Sequence, residues 1–224
     1  MATIDDVRAL LHRTAGDEKH DDSTLSTLGP LWVLYDRVLR VDAADPAWAD
    51  RDRLIVSKGH GPASFYAVLA ANGFFPAAWL DGFMRHDGKL GAHPDRSLIP
   101  GVEASTGSLG HGLAMGIGVA LALRARRATE PRVFVLCGDA ELNEGSNWEA
   151  VLLAPHLRLG NLTLLVIDNH SSSIPMAPWQ ERLGAFGWRC AVVDAADDRG
   201  LASALSARDA DVPTAVVADV TEGA

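Results

Sequence analysis

Acidic and amide side chains follow two apolar runs of the sequence, at points where strands would end. The run 133–137 stops at Gly138 and Asp139 follows at once, while a second run, 162–168, is followed directly by Asn169. In an open α/β sheet, ligands bind at the carboxyl ends of the strands. Neighbouring strand ends would therefore present Asp139 and Asn169 side by side. Carboxylate and amide oxygens are hard ligands that suit Mg²⁺ or Ca²⁺.

The segment after Asp139 also suits a phosphate group. Gly138 permits a tight turn, and the N–H groups that follow open a helix, whose N-terminus attracts anions. The simpler interpretation makes Asp139 a helix cap and Asn169 a turn residue. Because the two side chains lie 30 residues apart across one predicted helix, each at a strand end, the pair favours a magnesium ion that holds a diphosphate.

The apolar periodicity predicts an α/β fold. The strands are short, continuously apolar and β-branched, and they alternate with helical segments, which is typical of a doubly wound, mostly parallel sheet with helices on both faces. No linker divides the sequence, so a single domain over 1–224 is expected. Helices are predicted at 3–15, 25–40, 61–72, 76–84, 108–128, 144–158, 178–186 and 198–207, and strands at 54–56, 132–137, 162–168, 189–193 and 213–218.

The composition excludes several classes of function. With 224 residues and 48% hydrophobic content the chain can bury a full core, and a net charge of -9 argues against a nucleic-acid or anionic-membrane surface. Cys137 and Cys190 form no metal-binding or disulfide pattern. The apolar stretch 113–123 is too short to cross a bilayer. A soluble, cytoplasmic protein is expected.

A long polar segment, 85–107, separates two predicted helices. It contains His93 and runs into the glycine-rich turn STGSLGHG at 105–112. Long segments without regular structure inside compact domains are usually functional. We therefore expect this loop to contribute to the site.

Several ordered motifs resemble those of transketolases. They are "GDAELNEGSNWEA" with "HLRLGNLTLLVIDN", "LIVSKGHGPASFYAVLAANGFFP", "GAHP", "PGVEASTGSLGHGLAMGIGVALALR" and "LSTLGPLWVLYDRVLRVDAADP". The similarity runs from about His20 to Asp219 and corresponds to the N-terminal, diphosphate-binding part of a transketolase. It implies a thiamine diphosphate fold and the transfer of a two-carbon ketol unit from a ketose-type donor.

The resemblance implies a role for individual residues around the cofactor. Asp139, Asn169 and the backbone oxygen of Ser171 match the metal ligands. Ala140 stands where the family motif has a second glycine, so its methyl group is expected to weaken diphosphate binding modestly. The residues implied to bind the cofactor are Gly107, Leu109, Gly138, Asp139, Ala140, Glu141, Asn169 and His60.

The same resemblance implies the groups that act on substrate. His20, His60 and His93 match active-site histidines, with His93 at the donor hydroxyls, although the family context around His20 has become "KHDDSTLS". Glu144 and Glu149 match acids at the transketolase dimer interface that link two cofactor sites, and we count them with the catalytic candidates.

The catalytic glutamate of this family belongs to a pyrimidine-binding domain. We expect that domain on a separate C-terminal chain, in an α2β2 assembly without nucleic acid or membrane. A C-terminal histidine of the relatives has no match here, which, with Ala140, suggests a specialised substrate. The open alternatives are an α-type subunit of a 2-oxo acid dehydrogenase or decarboxylase and a non-catalytic regulatory relic. A magnesium phosphohydrolase with Asp139 as nucleophile is the least favoured.

Overall fold

The computed structural model describes residues 2–14 and 21–220, and its centre is one parallel sheet. The five strands pair in the order β1-β2-β3-β5-β4, and every neighbouring pair is parallel. Apolar, β-branched runs form these strands because both faces of such a sheet are covered. This confirms the predicted α/β class. The strands are β1 (Arg53–Val56), β2 (Val133–Gly138), β3 (Leu162–Asp168), β4 (Arg189–Asp194) and β5 (Thr214–Asp219).

Helices connect the strands, close to where the periodicity predicts them. They are α1 (Ile4–Leu11), α2 (Asp21–Val33), α3 (Ala63–Ala71), α4 (Gly112–Ala125), α5 (Gly145–His156), α6 (Trp179–Ala185) and α7 (Asp198–Ser206). Short 3₁₀ segments cover His12–Thr14, Ala77–Gly82 and Ala140–Asn143, and a wider π turn, Leu34–Val38, extends α2. Within the described ranges, no helix is long and apolar enough to cross a membrane.

Two hydrophobic layers hold the helices on the sheet. One layer joins Phe134 and Leu136 to α2, α3 and α7, and the other joins Val135 to α4, α5 and α6. Alternate residues of β2 thus face opposite layers, as the period of a strand requires. Burying each large apolar side chain stabilises the fold by about 1.5–3 kcal/mol. The helices therefore lie on both faces, as the sequence predicts.

Helix α4 begins at Gly112, later than the predicted residue 108. Gly110 has a φ of 85°, which a right-handed helix does not accept, so residues 108–111 form a turn. Inside α4, a Cβ at Gly116 would lie 2.4 Å from Cγ2 of Val135, whereas at Gly118 nothing lies within 4 Å. The absent side chain at Gly116 lets the helix approach the sheet.

The parallel arrangement places the ends of β1, β2 and β3 at one edge of the sheet. The Lys58 amide donates to the Leu136 carbonyl at 3.1 Å, and the Asp139 amide donates to the Ile167 carbonyl at 3.0 Å. The chain is thus fixed for two residues past β1 and for one residue past β2. This edge carries the polar residues that the sequence singles out.

Candidate cofactor site

Asp139 is buried at the end of β2, yet its carboxylate faces the segment after β3. The residue is 1% exposed. Its Oδ1 accepts a hydrogen bond from Ser171 Oγ at 2.8 Å, and its Oδ2 accepts from the Ser172 amide at 2.8 Å. Ser171 Oγ also lies 2.7 Å from Asn169 Oδ1. The structure therefore brings together Asp139, Asn169 and Ser171, the three residues expected to bind the metal.

This cluster has more oxygen acceptors than hydrogens. Oδ1 of Asp139 and Oδ1 of Asn169 both lie at hydrogen-bond distance from one hydroxyl, and a hydroxyl carries a single hydrogen. Two acceptor oxygens thus converge on a point where only one can be satisfied. A hard cation would satisfy both, since Mg²⁺ and Ca²⁺ take carboxylate, amide and carbonyl oxygens as ligands. The oxygens of Asp139 and Asn169 fit the expected metal, while the contacts of Ser171 here are those of its hydroxyl and not of the backbone oxygen expected as the third ligand.

The backbone after β3 produces this convergence. His170 has a φ of 56°, in the left-handed region. That conformation reverses the chain direction, so that Ser171 and Ser172 return towards Asp139. In the other chain segment of the site, the 3₁₀ turn Ala140–Asn143 begins directly after Asp139 and leads into α5.

Two of the predicted histidines meet beside this edge. The rings of His60 and His93 pack perpendicular to each other with their centroids 4.9 Å apart. Gly107 lies against His93 with a φ of 139°, and a Cβ there would sit 2.7 Å from the His93 ring. Only glycine fits this position without displacing the ring. The third histidine, His20, lies outside the described residues.

A buried hydroxyl next to this histidine pair lacks a partner. Oγ1 of Thr106 is buried without a hydrogen bond among the described residues, and it would lie 2.9 Å from a Cβ at Gly59. Buried polar groups are normally hydrogen-bonded, so an orphaned hydroxyl needs an explanation. A polar group of a bound cofactor would supply the missing partner.

Lys58 is a functional candidate that the sequence motifs did not single out. It is 9% exposed, and its Nζ donates to the Ser23 carbonyl at 2.8 Å and to Oγ1 of Thr27 at 2.8 Å. These bonds tie the end of β1 to the first turns of α2. The signal was present, because Lys58 stands inside the motif SKGHG beside His60.

Glu141 lies in the protein interior, although we expected it to contact the cofactor. It is 2% exposed, and its carboxylate accepts hydrogen bonds from Ser57 Oγ and from the amides of Gly110 and Gly138. Burial raises the pKa of the Glu141 carboxyl, while these donors oppose that rise. Because the Glu141 carboxylate points into the interior, it is not available as a second acid beside Asp139. A phosphohydrolase with two acids spaced two residues apart would need that second acid.

The remaining predicted residues lie around the same edge. Leu109 and Ala140 are partly buried, in the turn before α4 and at the start of the 3₁₀ segment, while Glu144 and Glu149 are exposed at the start and middle of α5. Their assigned roles stay predictions. Beside Glu149, helix α5 exposes 62% of Leu152.

A cavity of about 420 Å³ opens beside Asp139 between the ends of β3 and β5. Three groups at its mouth form a cluster that the sequence did not reveal. His170 Nε2 lies 3.0 Å from Asp219 Oδ1, and its Nδ1 lies 3.5 Å from Asp168 Oδ1. Each ring nitrogen of His170 therefore faces a carboxylate oxygen.

Comparisons with known proteins bear on the family of this chain. Residues 3–223 match the family model described as transketolase, thiamine diphosphate binding domain. The chain is 47% identical over 220 residues to a protein named Ferredoxin fas2 from Rhodococcoides fascians, covering 98% of this chain and 72% of that protein. It is 37% identical over 216 residues to an apulose-4-phosphate transketolase subunit from Actinobacillus succinogenes, covering 92% of this chain and 77% of the relative.

A third relative and a solved structure extend the comparison. The 6-deoxy-6-sulfo-D-fructose transketolase subunit of a Clostridium species is 35% identical over 193 residues, covering 83% of this chain and 70% of the relative. The transketolase from Leishmania mexicana superposes with a TM-score of 0.83 at 30% identity, covering 97% of this chain and 37% of that one. From its fold, its strand-end cluster and these matches, the chain belongs to the transketolase family and is of its thiamine diphosphate-binding domain type.

Proposed function

We propose that this chain is the diphosphate-binding subunit of a split transketolase-type transferase. It holds thiamine diphosphate together with Mg²⁺ or Ca²⁺ and takes part in moving a two-carbon ketol unit from a ketose-type donor to an acceptor. The observation that carries the proposal is the convergence of Asp139, Asn169 and Ser171 beside the perpendicular His60–His93 pair. The proposed domain is the single unit 1–224, acting in the cytoplasm.

The residues of this chain have different proposed roles, which depend on where they lie. Asp139, Asn169 and the backbone oxygen of Ser171 bind the cation, which neutralises the diphosphate. Thiamine diphosphate, when bound, supplies the carbanion that adds to a ketone. His93 and His20 orient the donor hydroxyls by hydrogen bonding. His60 lies near the diphosphate and the reacting carbon.

Lys58 adds a buried positive charge at the end of β1. Its Nζ is fixed by Ser23 and Thr27 on α2. A charge in a poorly solvated position acts over a longer distance than one in water. The ammonium group therefore favours an anionic cofactor at this edge without needing to touch it.

A second, different chain completes the proposed enzyme. It is a C-terminal transketolase-like subunit that carries the pyrimidine-binding domain and the catalytic glutamate, in an α2β2 assembly. Relatives whose names describe them as transketolase subunits support this, and so does the apolar surface of Leu152 and Leu153 beside Glu149 on α5. Glu144 and Glu149 link the two cofactor sites across the interface.

The donor is proposed to be a specialised sugar. The relatives' names mention apulose-4-phosphate and 6-deoxy-6-sulfo-D-fructose. The name of the ferredoxin-like relative does not transfer, because this chain has two cysteines, whereas iron–sulfur clusters are held by four protein ligands, mostly cysteine thiolates. Efficient turnover of ordinary pentose phosphates by the reconstituted pair would contradict a specialised donor.

Calorimetric titration of thiamine diphosphate with Mg²⁺ tests the proposal. It is done on this chain, on the chain mixed with the product of the neighbouring reading frame, and on the same mixture with Asp139→Ala. Binding in the wild-type mixture that is lost in the variant supports a split thiamine enzyme. Association of the two chains without cofactor binding in any mixture contradicts it and favours the non-catalytic relic.

A further inference from the structure

Glu141 connects the three backbone segments on which the proposed cofactor residues stand. Its Oε1 accepts from Ser57 Oγ at 2.5 Å and from the Gly110 amide at 2.9 Å, and its Oε2 accepts from the Gly138 amide at 3.3 Å. Ser57 follows β1 directly, Gly110 belongs to the turn before α4, and Gly138 ends β2. One buried carboxylate therefore joins three parts of the chain that are remote in sequence.

Each of these segments carries a residue assigned to the cofactor. His60 follows Ser57 in the SKGHG turn, Gly107 and Leu109 precede Gly110, and Asp139 follows Gly138 directly. The Ser57 hydroxyl extends the network by accepting from the amide of Gly112 at 3.0 Å. The first residue of α4 is thereby attached to the same group.

Glu141 is itself held firmly from behind. Its backbone carbonyl accepts from Nδ2 of Asn147 at 2.8 Å, and Asn147 is fully buried in α5. The backbone of Glu141 is thus held in place, and its carboxylate has three hydrogen-bond donors. Burying an acid is unfavourable unless hydrogen-bond donors are placed to satisfy it, as three donors do here. A residue that needs such an arrangement is expected to have a use beyond filling space.

We propose that Glu141 is a positioning residue, which holds the ends of β1 and β2 and the turn before α4 in the geometry that the cofactor requires. It acts through the backbone and does not touch the cofactor. The site is then formed before the cofactor binds, which lowers the ordering cost of binding. This inference rests on the proposed function only for its effect on affinity.

Asp52 provides a matched control at the opposite edge of the sheet. It is 2% exposed and also accepts from two backbone amides, those of Arg40 at 2.9 Å and Arg132 at 2.7 Å. Like Glu141 it is a buried carboxylate that accepts from backbone amides, although its Oδ1 also lies 3.5 Å from the Arg40 guanidinium, and it stands at the far end of β1. Asp52→Asn therefore shows the effect of losing a buried carboxylate that lies away from the cofactor site.

The experiment compares Glu141→Gln with Asp52→Asn by two readouts. Hydrogen exchange of the full chain is followed in the segments 105–113 and 135–141, well below the melting temperature. Affinity for thiamine diphosphate with Mg²⁺ is measured with the C-terminal subunit present. The Gln amide offers a donor where Glu141 offers an acceptor, so we expect faster exchange in both segments and binding weakened by roughly tenfold or more.

Asp52→Asn is expected to lower the melting temperature while exchange in both segments and affinity stay at wild-type values. If Glu141→Gln gives that same pattern, the proposal is wrong. Should Glu141→Gln not fold, Ser57→Ala removes one donor of the network and is expected to show the same local exchange at smaller amplitude. If the wild-type pair binds no cofactor, the proposed function fails, and the exchange data alone decide the positioning role.

Discussion

At the scale of single residues, two acids that stand two positions apart have opposite surroundings. Asp139 faces Ser171 and Asn169 at the strand edge, whereas Glu141 faces three donors in the interior. The sequence predicts the first, because an acid after a buried parallel strand must lie at the ligand-binding edge. It does not predict the second, since the direction of Glu141 depends on a turn of only four residues, Ala140–Asn143.

The side chain and the backbone of Ser171 have different expected roles. Because the proposed ligand is the backbone oxygen, Ser171→Ala should retain the metal and bind Mn²⁺ with about wild-type affinity. Asn169→Ala removes a ligand oxygen and should weaken Mn²⁺ binding by tenfold or more, a loss of about 1.4 kcal/mol. Electron paramagnetic resonance of free Mn²⁺ in the presence of thiamine diphosphate measures both. Equal losses in the two variants would contradict the assignment.

The two cysteines should differ in reactivity. Burial raises the pKa of Cys190 to about 11 and raises that of Cys137 well above its usual value. Only the thiolate reacts, so below pH 11 the rate of Cys190 should rise about tenfold per pH unit. Cys137 should react only on unfolding. Thiol titration with Ellman's reagent, with Cys190→Ser as control, measures this, and fast reaction of both thiols at neutral pH would contradict the described burial.

At the scale of elements, strands and helices were predicted well where the apolar period is unbroken. The strands β2, β3 and β5 differ from the predicted ranges by at most one residue at either end. The start of α4 was not predicted, because Gly110 and Gly107 take positive φ values that apolar periodicity cannot indicate. The cluster around His170 was missed for a related reason, as it depends on a left-handed residue between two strand ends.

Two glycines of α4 make a matched pair for testing how this helix packs. Gly118 has open space around it, so Gly118→Ala should stabilise the chain by about 0.5–1 kcal/mol through helix propensity. At Gly116 the new methyl would meet Val135, so Gly116→Ala should destabilise it by about 1–3 kcal/mol. Denaturant unfolding of the chain alone compares them. The same sign of change in both variants would show that α4 does not pack as described.

At the scale of the whole molecule, the chain exposes apolar side chains on α5, the helix that begins beside its cofactor edge. Leu152 and Leu153 lie about one turn after Glu149 on α5 and are exposed, and Met115 on α4 is exposed as well. Exposed apolar residues that cluster on a surface are typical of interaction sites. The sequence predicted Glu149 at an interface by resemblance, but the exposure of its neighbours could be known only once α5 was placed on the sheet.

A charge on this surface should weaken assembly. Leu152→Glu would have to bury a carboxylate in the proposed interface, so we expect the Kd for association with the C-terminal subunit or with a second copy to rise by tenfold or more. Leu98→Glu places the same charge at another exposed leucine, in the loop between α3 and α4, and should leave assembly unchanged. Sedimentation velocity measures both. Unaltered association of Leu152→Glu would place the interface elsewhere.

The position of the metal most directly tests whether Asp139, Asn169 and Ser171 hold the cofactor. The assembled protein would be crystallised with thiamine diphosphate and Mn²⁺, and the cation located by its anomalous scattering. We predict a peak in contact with Asp139, Asn169 and the backbone oxygen of Ser171, with the diphosphate against the same cation. A peak between Asp168, His170 and Asp219, or a diphosphate bound away from the end of β2, would contradict it.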